Sequence, residues 1–187
     1  LFHQQDEAAG QVFWHPRGWT LYRTLENFVR TRIQNDGYVE VKTPQLYDSS
    51  LFKASGHWDL YGDNMFKMSI EGGDRHLGMK PMNCPGSILV YELEPHSYKE
   101  LPLRYGELGR VHRHELSGAL HGLFRVRCFT QDDAHILLAP DQIRDEVVRI
   151  SQLFDEVYNL FKLPYTIELS TMPEDHMGTK EEWDKAT

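Results

Sequence analysis

Arg125-Val126-Arg127-Cys128-Phe129-Thr130-Gln131-Asp132-Asp133-Ala134-His135 is the stretch that decides the fold. Successive side chains of a β-strand point to opposite faces. Read at that period, Arg125, Arg127, Phe129, Gln131, Asp133 and His135 share one face, and Val126, Cys128, Thr130, Asp132, Ala134 and Ile136 share the other. A strand that only builds a sheet keeps a nondescript polar face in water. This one places two cations, an aromatic plate, an amide, a carboxylate and an imidazole in a row. Such a face has the chemistry to hold phosphate, stack a base, grip an amine and ligate a metal. The plainer alternative is a cross-strand ladder of surface ion pairs, which contributes little.

Upstream, Leu103 to Glu115 has the same strand character, and Leu123 to Leu138 completes the second strand. Leu116-Ser117-Gly118-Ala119-Leu120-His121-Gly122 lies between them. Two long strands joined by one glycine-bearing loop predict an antiparallel hairpin. If their polar faces coincide, Arg113 and Glu115 join the row on the second strand. Helical spacing of Leu21, Tyr22, Leu25, Phe28, Val29 and Ile33 predicts a helix from Trp19 to Gln34, stopped by Asn35-Asp36-Gly37. Tyr38 to Lys42 reads as a strand ended by Thr43-Pro44. A short strand is expected over Leu77–Lys80 and a short helix from the Cys84 region to about Leu93. Pro140 starts a helix with apolar residues at Ile143, Val147, Ile150, Phe154, Val157 and Phe161, and Tyr165 to Leu169 reads as a further strand. Residues 1–12 form a polar approach. Helices interspersed with a mostly antiparallel sheet define the α+β class.

The chain has 187 residues, 40% of them apolar, and a net charge of −8. That is enough apolar content for a core, and an acidic balance argues against a dedicated nucleic-acid-binding module while leaving room for a local basic cleft. Two cysteines imply no disulfide framework. No run approaches the ~18 apolar residues of a membrane span, and the polar N-terminus does not resemble a signal peptide, so a cytoplasmic location is expected. The chain opens without Met and stops within a helix-like pattern, and reads as an excised piece of a longer protein.

In Lys80-Pro81-Met82-Asn83-Cys84-Pro85-Gly86 a cysteine stands between prolines, with Pro85 suited to a first helical position. A helix dipole at that point lowers a thiol pKa and favours the thiolate that binds metal. Local zinc spacing such as C-x₂-C is missing, and His112 and His114 have the look of exposed or hydrogen-bonded histidines. Arginines suit phosphate oxygens through their planar fork, and Phe129 offers a plate for an adenine ring.

These segments together resemble the class II aminoacyl-tRNA synthetases. Gly37-Tyr38-Val39-Glu40-Val41-Lys42-Thr43-Pro44 is similar to the end of that class's motif 1. His112-Arg113-His114-Glu115, the loop, and Arg125-x-x-x-Phe129-x-x-x-Asp133 match its motif 2. Lys80–Gly86, Gln131-Asp132-Asp133-Ala134-His135, Phe13–Trp19 and Ser117–Gly122 resemble the threonyl-tRNA synthetases in particular. The resemblance implies a class II synthetase-like antiparallel sheet flanked by helices, with residues 1–187 forming a partial catalytic domain that ends before motif 3. The editing and anticodon-binding domains would lie outside it. It implies activation of threonine with ATP and Mg²⁺ and transfer to threonine tRNA by a parent enzyme that is a homodimer. It implies zinc held by Cys84, His135 and a third histidine beyond the last residue, gripping the amino and hydroxyl groups of threonine. Arg113 would hold the α-phosphate and the amino-acid carboxylate, Glu115 the adenine amino group, and Arg125 the γ-phosphate. Phe129 would stack on adenine, while Gln131 and Asp133 line the threonine site. The sequence departs from the pattern at Ser87, where histidine is expected, and at Cys128, where glycine is expected. It also contains no G-x-G-x-x-G-x-x-x-R pattern after His135. One alternative is a non-catalytic class II-like paralog acting as a tRNA-binding or regulatory partner. Another is a zinc-stabilised structural module, although one Cys and one His cannot close a four-ligand structural site.

Overall fold

The computed structural model describes residues 1–71 and 73–186, in two compact units, Leu1–Ala139 and Pro140–Thr187. The first unit opens with two-residue strands β1 (Phe2–His3) and β2 (Phe13–Trp14), paired antiparallel. Helix α1 (Pro16–Asn35) follows. The expected helix is therefore present, and it begins three residues earlier, because a proline at the first turn gives up only an N–H that has no helical partner there. Strand β3 (Val39–Glu40) is shorter than the expected Tyr38–Lys42 and runs parallel to a later strand.

Residues 46–79 form a small sheet of their own. Strands β4 (Leu46–Asp48), β5 (Lys67–Ser69) and β6 (His76–Met79) pair antiparallel in the order β4-β6-β5, with the short helices α2 (Ser49–Ala54) and α3 (His57–Leu60) between β4 and β5. Asp48 starts α2 by accepting the Ser50 N–H at 3.0 Å, a normal cap for orphan helix donors. Phe52 and Met65 are buried in this region.

Helix α4 (Cys84–Glu92) leads to the hairpin of β7 (Leu103–His112) and β8 (Cys128–Leu137). The two strands pair antiparallel through ten residues each, from Leu103–Leu137 to His112–Cys128, and β3 completes the sheet in the order β3-β7-β8. The predicted hairpin holds, but its strands are shorter than expected, and Arg113, Glu115, Arg125 and Arg127 lie beyond the ladder. The cause is a change of backbone partners. The Arg113 N–H still reaches the Arg127 carbonyl at 2.9 Å, but the His114 N–H turns to Asn64 and the Arg127 N–H turns to Gly10. The Arg127 guanidinium then donates to the carbonyls of Glu115 (2.9 Å) and Ala9 (3.2 Å) and to Ser117 Oγ (3.2 Å). Gln4 adds a bond to the Gly122 carbonyl at 3.2 Å. The N-terminal segment thus straps the loop between the strands.

The two three-stranded sheets of this unit meet at a buried ion pair. Lys80 Nζ lies 3.0 Å from Glu107 Oε1, with side chains 1% and 0% exposed. Thr43 Oγ1 accepts from Lys80 at 2.8 Å, and the Thr43 hydroxyl and N–H both donate to Glu107. The backbone of Lys80 also bridges, donating to Gln45 and accepting from His112.

The second unit contains α5 (Ile143–Leu160) and α6 (Lys180–Ala186). The strand expected at Tyr165–Leu169 is not formed: no ladder among the described residues supplies its backbone partners. The segment is tethered instead by the Tyr165 hydroxyl, which donates to Asp155 Oδ1 at 3.0 Å, and by packing on the Tyr158 ring at 5.0 Å. Among the described residues no helix is long and apolar enough to cross a membrane.

Removing one member of a buried ion pair leaves an uncompensated charge, at a typical cost of about 3–5 kcal/mol. Glu107→Ala is expected to lower the unfolding free energy of this chain by that order in urea titration. A loss below about 1 kcal/mol would show that the pair is not what joins the sheets.

Candidate functional site

The working face of the hairpin is set by strand alternation. Val111 faces Phe129, Gly109 faces Gln131, Glu107 faces Asp133 and Tyr105 faces His135. At a strand's rise, Phe129 and His135 are separated by roughly 20 Å, and a different cluster forms at each end.

At the far end, Cys84, Asp133 and His135 come together. One ligand atom from each lies within 4.8 Å of the other two. The family resemblance, not the spacing, implied Cys84 and His135 as partners across a long separation, and the fold brings them together by laying the start of α4 against β8. Asp133 joins them because it shares His135's face one repeat earlier. The donor set suits zinc, which takes thiolate sulfur, imidazole nitrogen and carboxylate oxygen. His135 Nδ1 is buried and has no hydrogen-bond partner among the described residues, as expected of a donor waiting for something other than protein. The Cys84 thiol runs against expectation. Burial pushes its pKa up, and the Asp133 charge pushes it further, so the helix terminus does not make a free thiolate here. A bound cation would oppose both by attracting the thiolate directly.

Asn83 was not singled out by the sequence. Its side chain is fully buried, and Nδ2 donates to Asp133 Oδ2 at 2.9 Å. No local pattern announces this contact, since it depends on the packing of α4 against the hairpin. Gln131 lies between the two clusters, half-buried and opposite Gly109.

At the near end, Arg113 Nε donates to the Pro81 carbonyl at 3.1 Å. Its guanidinium lies 5.1 Å from the Phe129 ring centre and 6.0 Å from that of Tyr61, within reach of cation–π attraction. Arg125 is paired with Glu115 at 3.0 Å. Arg113, Glu115, Phe124, Arg125 and Phe129 are among the residues lining a cleft of about 470 Å³. Arg127, read from alternation as part of the same face, instead donates to the carbonyls of Glu115 and of Ala9 in the N-terminal segment. The two flanking histidines diverge. His112 Nδ1 is buried, while His114 bonds the Asp63 carbonyl at 3.3 Å and meets Phe66 edge-on at 5.4 Å.

The departures at Ser87 and Cys128 also find places. Ser87 is buried and lines a cavity of about 310 Å³ together with His135. Cys128 pairs with His112 on the opposite side of β8 from Phe129, so its thiol does not crowd the Cys84–His135 end.

The hairpin thus carries a cleft near one end and a metal-competent cluster at the other, and the chain as a whole is similar to known proteins. The family model described as the tRNA synthetase class II core domain (G, H, P, S and T) matches residues 66–185. The chain belongs to that family. In particular, it is 56% identical over its whole length to the threonine–tRNA ligase of Desulforamulus reducens and 52% identical to that of Clostridium tetani. It spans 29% of the length of each of these relatives. The RNA-binding domain of threonyl-tRNA synthetase from Cryptosporidium parvum Iowa II superposes with a TM-score of 0.91 at 41% identity, over 100% of this chain and 46% of that one.

A thiol with a raised pKa is mostly protonated at neutral pH. Alkylation of Cys84 in the metal-free chain is therefore expected to be slow at neutral pH and to accelerate only above the ordinary thiol range. Asp133→Asn, which removes the second cause of the shift, is expected to move that rise to lower pH. Peptide mass spectrometry after timed iodoacetamide treatment reads both. Fast alkylation at neutral pH would contradict the assignment.

Proposed function

We propose that this chain is a catalytic-domain segment of a threonine–tRNA ligase, carrying the motif 1 and motif 2 elements of a class II synthetase. The whole enzyme activates threonine with ATP and Mg²⁺ and transfers it to threonine tRNA. The observation that carries this reading is the bipartite face. Arg113, Glu115 and Phe129 stand at one end, and Cys84, Asp133 and His135 at the other, about the span of an aminoacyl-adenylate. The relatives named above support the choice of threonine.

Cys84 and His135 are the residues that would hold zinc, which when bound supplies a Lewis-acid anchor for the amino and hydroxyl groups of threonine. Asp133 accepts from the substrate ammonium, and Gln131 lines the path between the two ends. In adenylation a threonine carboxylate oxygen bonds to the α-phosphorus and pyrophosphate leaves. No protein nucleophile is needed, so the chain contributes position and charge. Arg113 keeps its positive charge for the α-phosphate and the attacking carboxylate, because its own partners, a carbonyl and aromatic rings, are neutral. Phe129 stacks the adenine, and Glu115 accepts from the adenine amino group. Arg125 reaches the γ-phosphate by leaving Glu115. The exposed Trp19, Leu21 and Leu25 of α1 support a homodimer contact in the whole enzyme, and the substrates fit a cytoplasmic setting.

ATP–pyrophosphate exchange by the whole enzyme tests the reading. Threonine is expected to support exchange, and valine to support it roughly 10⁴-fold less well, because a site built to engage a hydroxyl rejects the isostere that lacks it. Arg113→Ala is expected to cost roughly 10²–10³-fold, while Lys53→Ala stays within about twofold, as for a distant surface charge. Absence of threonine-dependent exchange would favour the non-catalytic paralog. Equal small losses in both variants would reduce the Arg113 cluster to a surface ladder.

A further inference from the structure

We propose that Asn83 is a positioning residue that holds the Asp133 carboxylate toward the substrate's amino group and prevents it from becoming a metal ligand. The inference rests on the reading above, in which Cys84 and His135 hold the metal and Asp133 meets the amine.

Three observations carry it. First, Asn83 occupies the cap position of α4 without capping it. An asparagine there ordinarily turns its side-chain oxygen onto a first-turn N–H and stabilises the helix. This one sends its amide across to β8, where Nδ2 donates to Asp133 Oδ2 at 2.9 Å. Second, the arrangement leaves a cost in place. Asn83 is fully buried, and its Oδ1 has no partner among the described residues, a burden that folding alone does not favour. Third, β7 is shaped to receive the amide. A Cβ at Gly109 would lie 2.3 Å from Asn83 Oδ1 and 2.5 Å from both Cγ and Nδ2. Only glycine at 109 lets the amide lie where it reaches Asp133.

The need for such a tether follows from the cluster itself. An Asp133 oxygen, Cys84 sulfur and a His135 nitrogen already lie within 4.8 Å of one another, and carboxylate is a good zinc ligand. A free Asp133 would turn onto the metal, filling a position the substrate requires and withdrawing the negative charge from the ammonium. The amide bond to one oxygen, strengthened by the acceptor's charge, fixes the carboxylate without neutralising it.

Asn83→Ala and Gly109→Ala in the whole enzyme test this, the second by displacing the amide without deleting it. The KM for threonine is expected to rise about ten- to a hundred-fold, the range for losing a hydrogen bond to a charged group. The KM for ATP stays within about twofold and zinc is retained. With cobalt(II) in place of zinc, the substrate-free variants are expected to show an altered visible absorption spectrum as Asp133 joins the metal. Adding Asp133→Asn restores the wild-type spectrum. If the two KM values rise together, or the cobalt spectrum is unchanged, Asn83 is a packing residue and the inference falls while the ligase reading stands. Failure of both variants to fold would likewise mark the amide as structural. A wild-type enzyme without threonine-dependent exchange overturns the ligase reading, and this inference with it.

Discussion

Lys80 and Glu107 are both taken out of water where the small β4-β6-β5 sheet meets β7, and everything at the site is placed relative to them. Desolvating two charges costs several kcal/mol per ion, which their attraction offsets only with good geometry and further hydrogen bonds. Thr43 supplies those bonds from the segment after β3. Three stretches distant in sequence thereby meet in one arrangement. Lys80 leads directly into Pro81 and the start of α4, and Glu107 lies opposite Asp133 on the hairpin. The pair thus sets where Cys84 arrives against β8. A packed apolar contact could hold the same elements together, but it would tolerate sliding. A buried charge pair has one satisfactory register, and a shift would strand both ions.

The distribution of partners along the face decides which charges remain for ligands. Glu107 and Asp133 are neighbouring carboxylates, yet Glu107 is neutralised by Lys80 while Asp133 is held by a neutral amide. Asp133 therefore keeps its full attraction for a cation. Arg113 is likewise steadied by a carbonyl and aromatic rings, so its charge is still available to an anion. Arg125 differs, since Glu115 already occupies it. Any anion would have to compete for that arginine, and with Arg125 59% exposed the surrounding water keeps the pair weak enough to exchange.

The hairpin was legible because a period of two is written directly in the residues from Phe129 to His135, and that period gave the shared face, while the register became visible only in the ladder. The ends of its strands were not. Arg125 and Arg127 continue the alternation in sequence, but their backbone is claimed by partners at Gly10 and in the loop, and those contacts carry no local signal. Tyr165–Leu169 shows the same limit: its residues suit a strand, but a strand also needs a neighbour. The meeting of Cys84 with His135 came from resemblance to a family and not from spacing. The raised thiol pKa of Cys84 reversed an argument from helix dipoles, because burial and a nearby carboxylate outweighed the terminus. Asn83 lay unremarked inside a quoted motif, since an asparagine before a helix reads as a cap until its amide is seen elsewhere.

The strap formed by the first residues alters what counts as the boundary of this module. Ala9 and Gly10 receive the side chain and backbone of Arg127, Gln4 reaches Gly122, and a side chain at Gly10 would press on Arg127 at 3.0 Å as well as strain a backbone at φ +77. The polar opening stretch holds none of the residues of the two clusters, and by composition it could pass for a dispensable leader. Its backbone nonetheless accepts both the main chain and the side chain of Arg127, just before the strand that follows the loop. Anyone trimming the gene to a minimal folding unit would be tempted to start at α1, and would discard the contacts that hold Arg127 and the loop beside the Arg113–Phe129 end of the face.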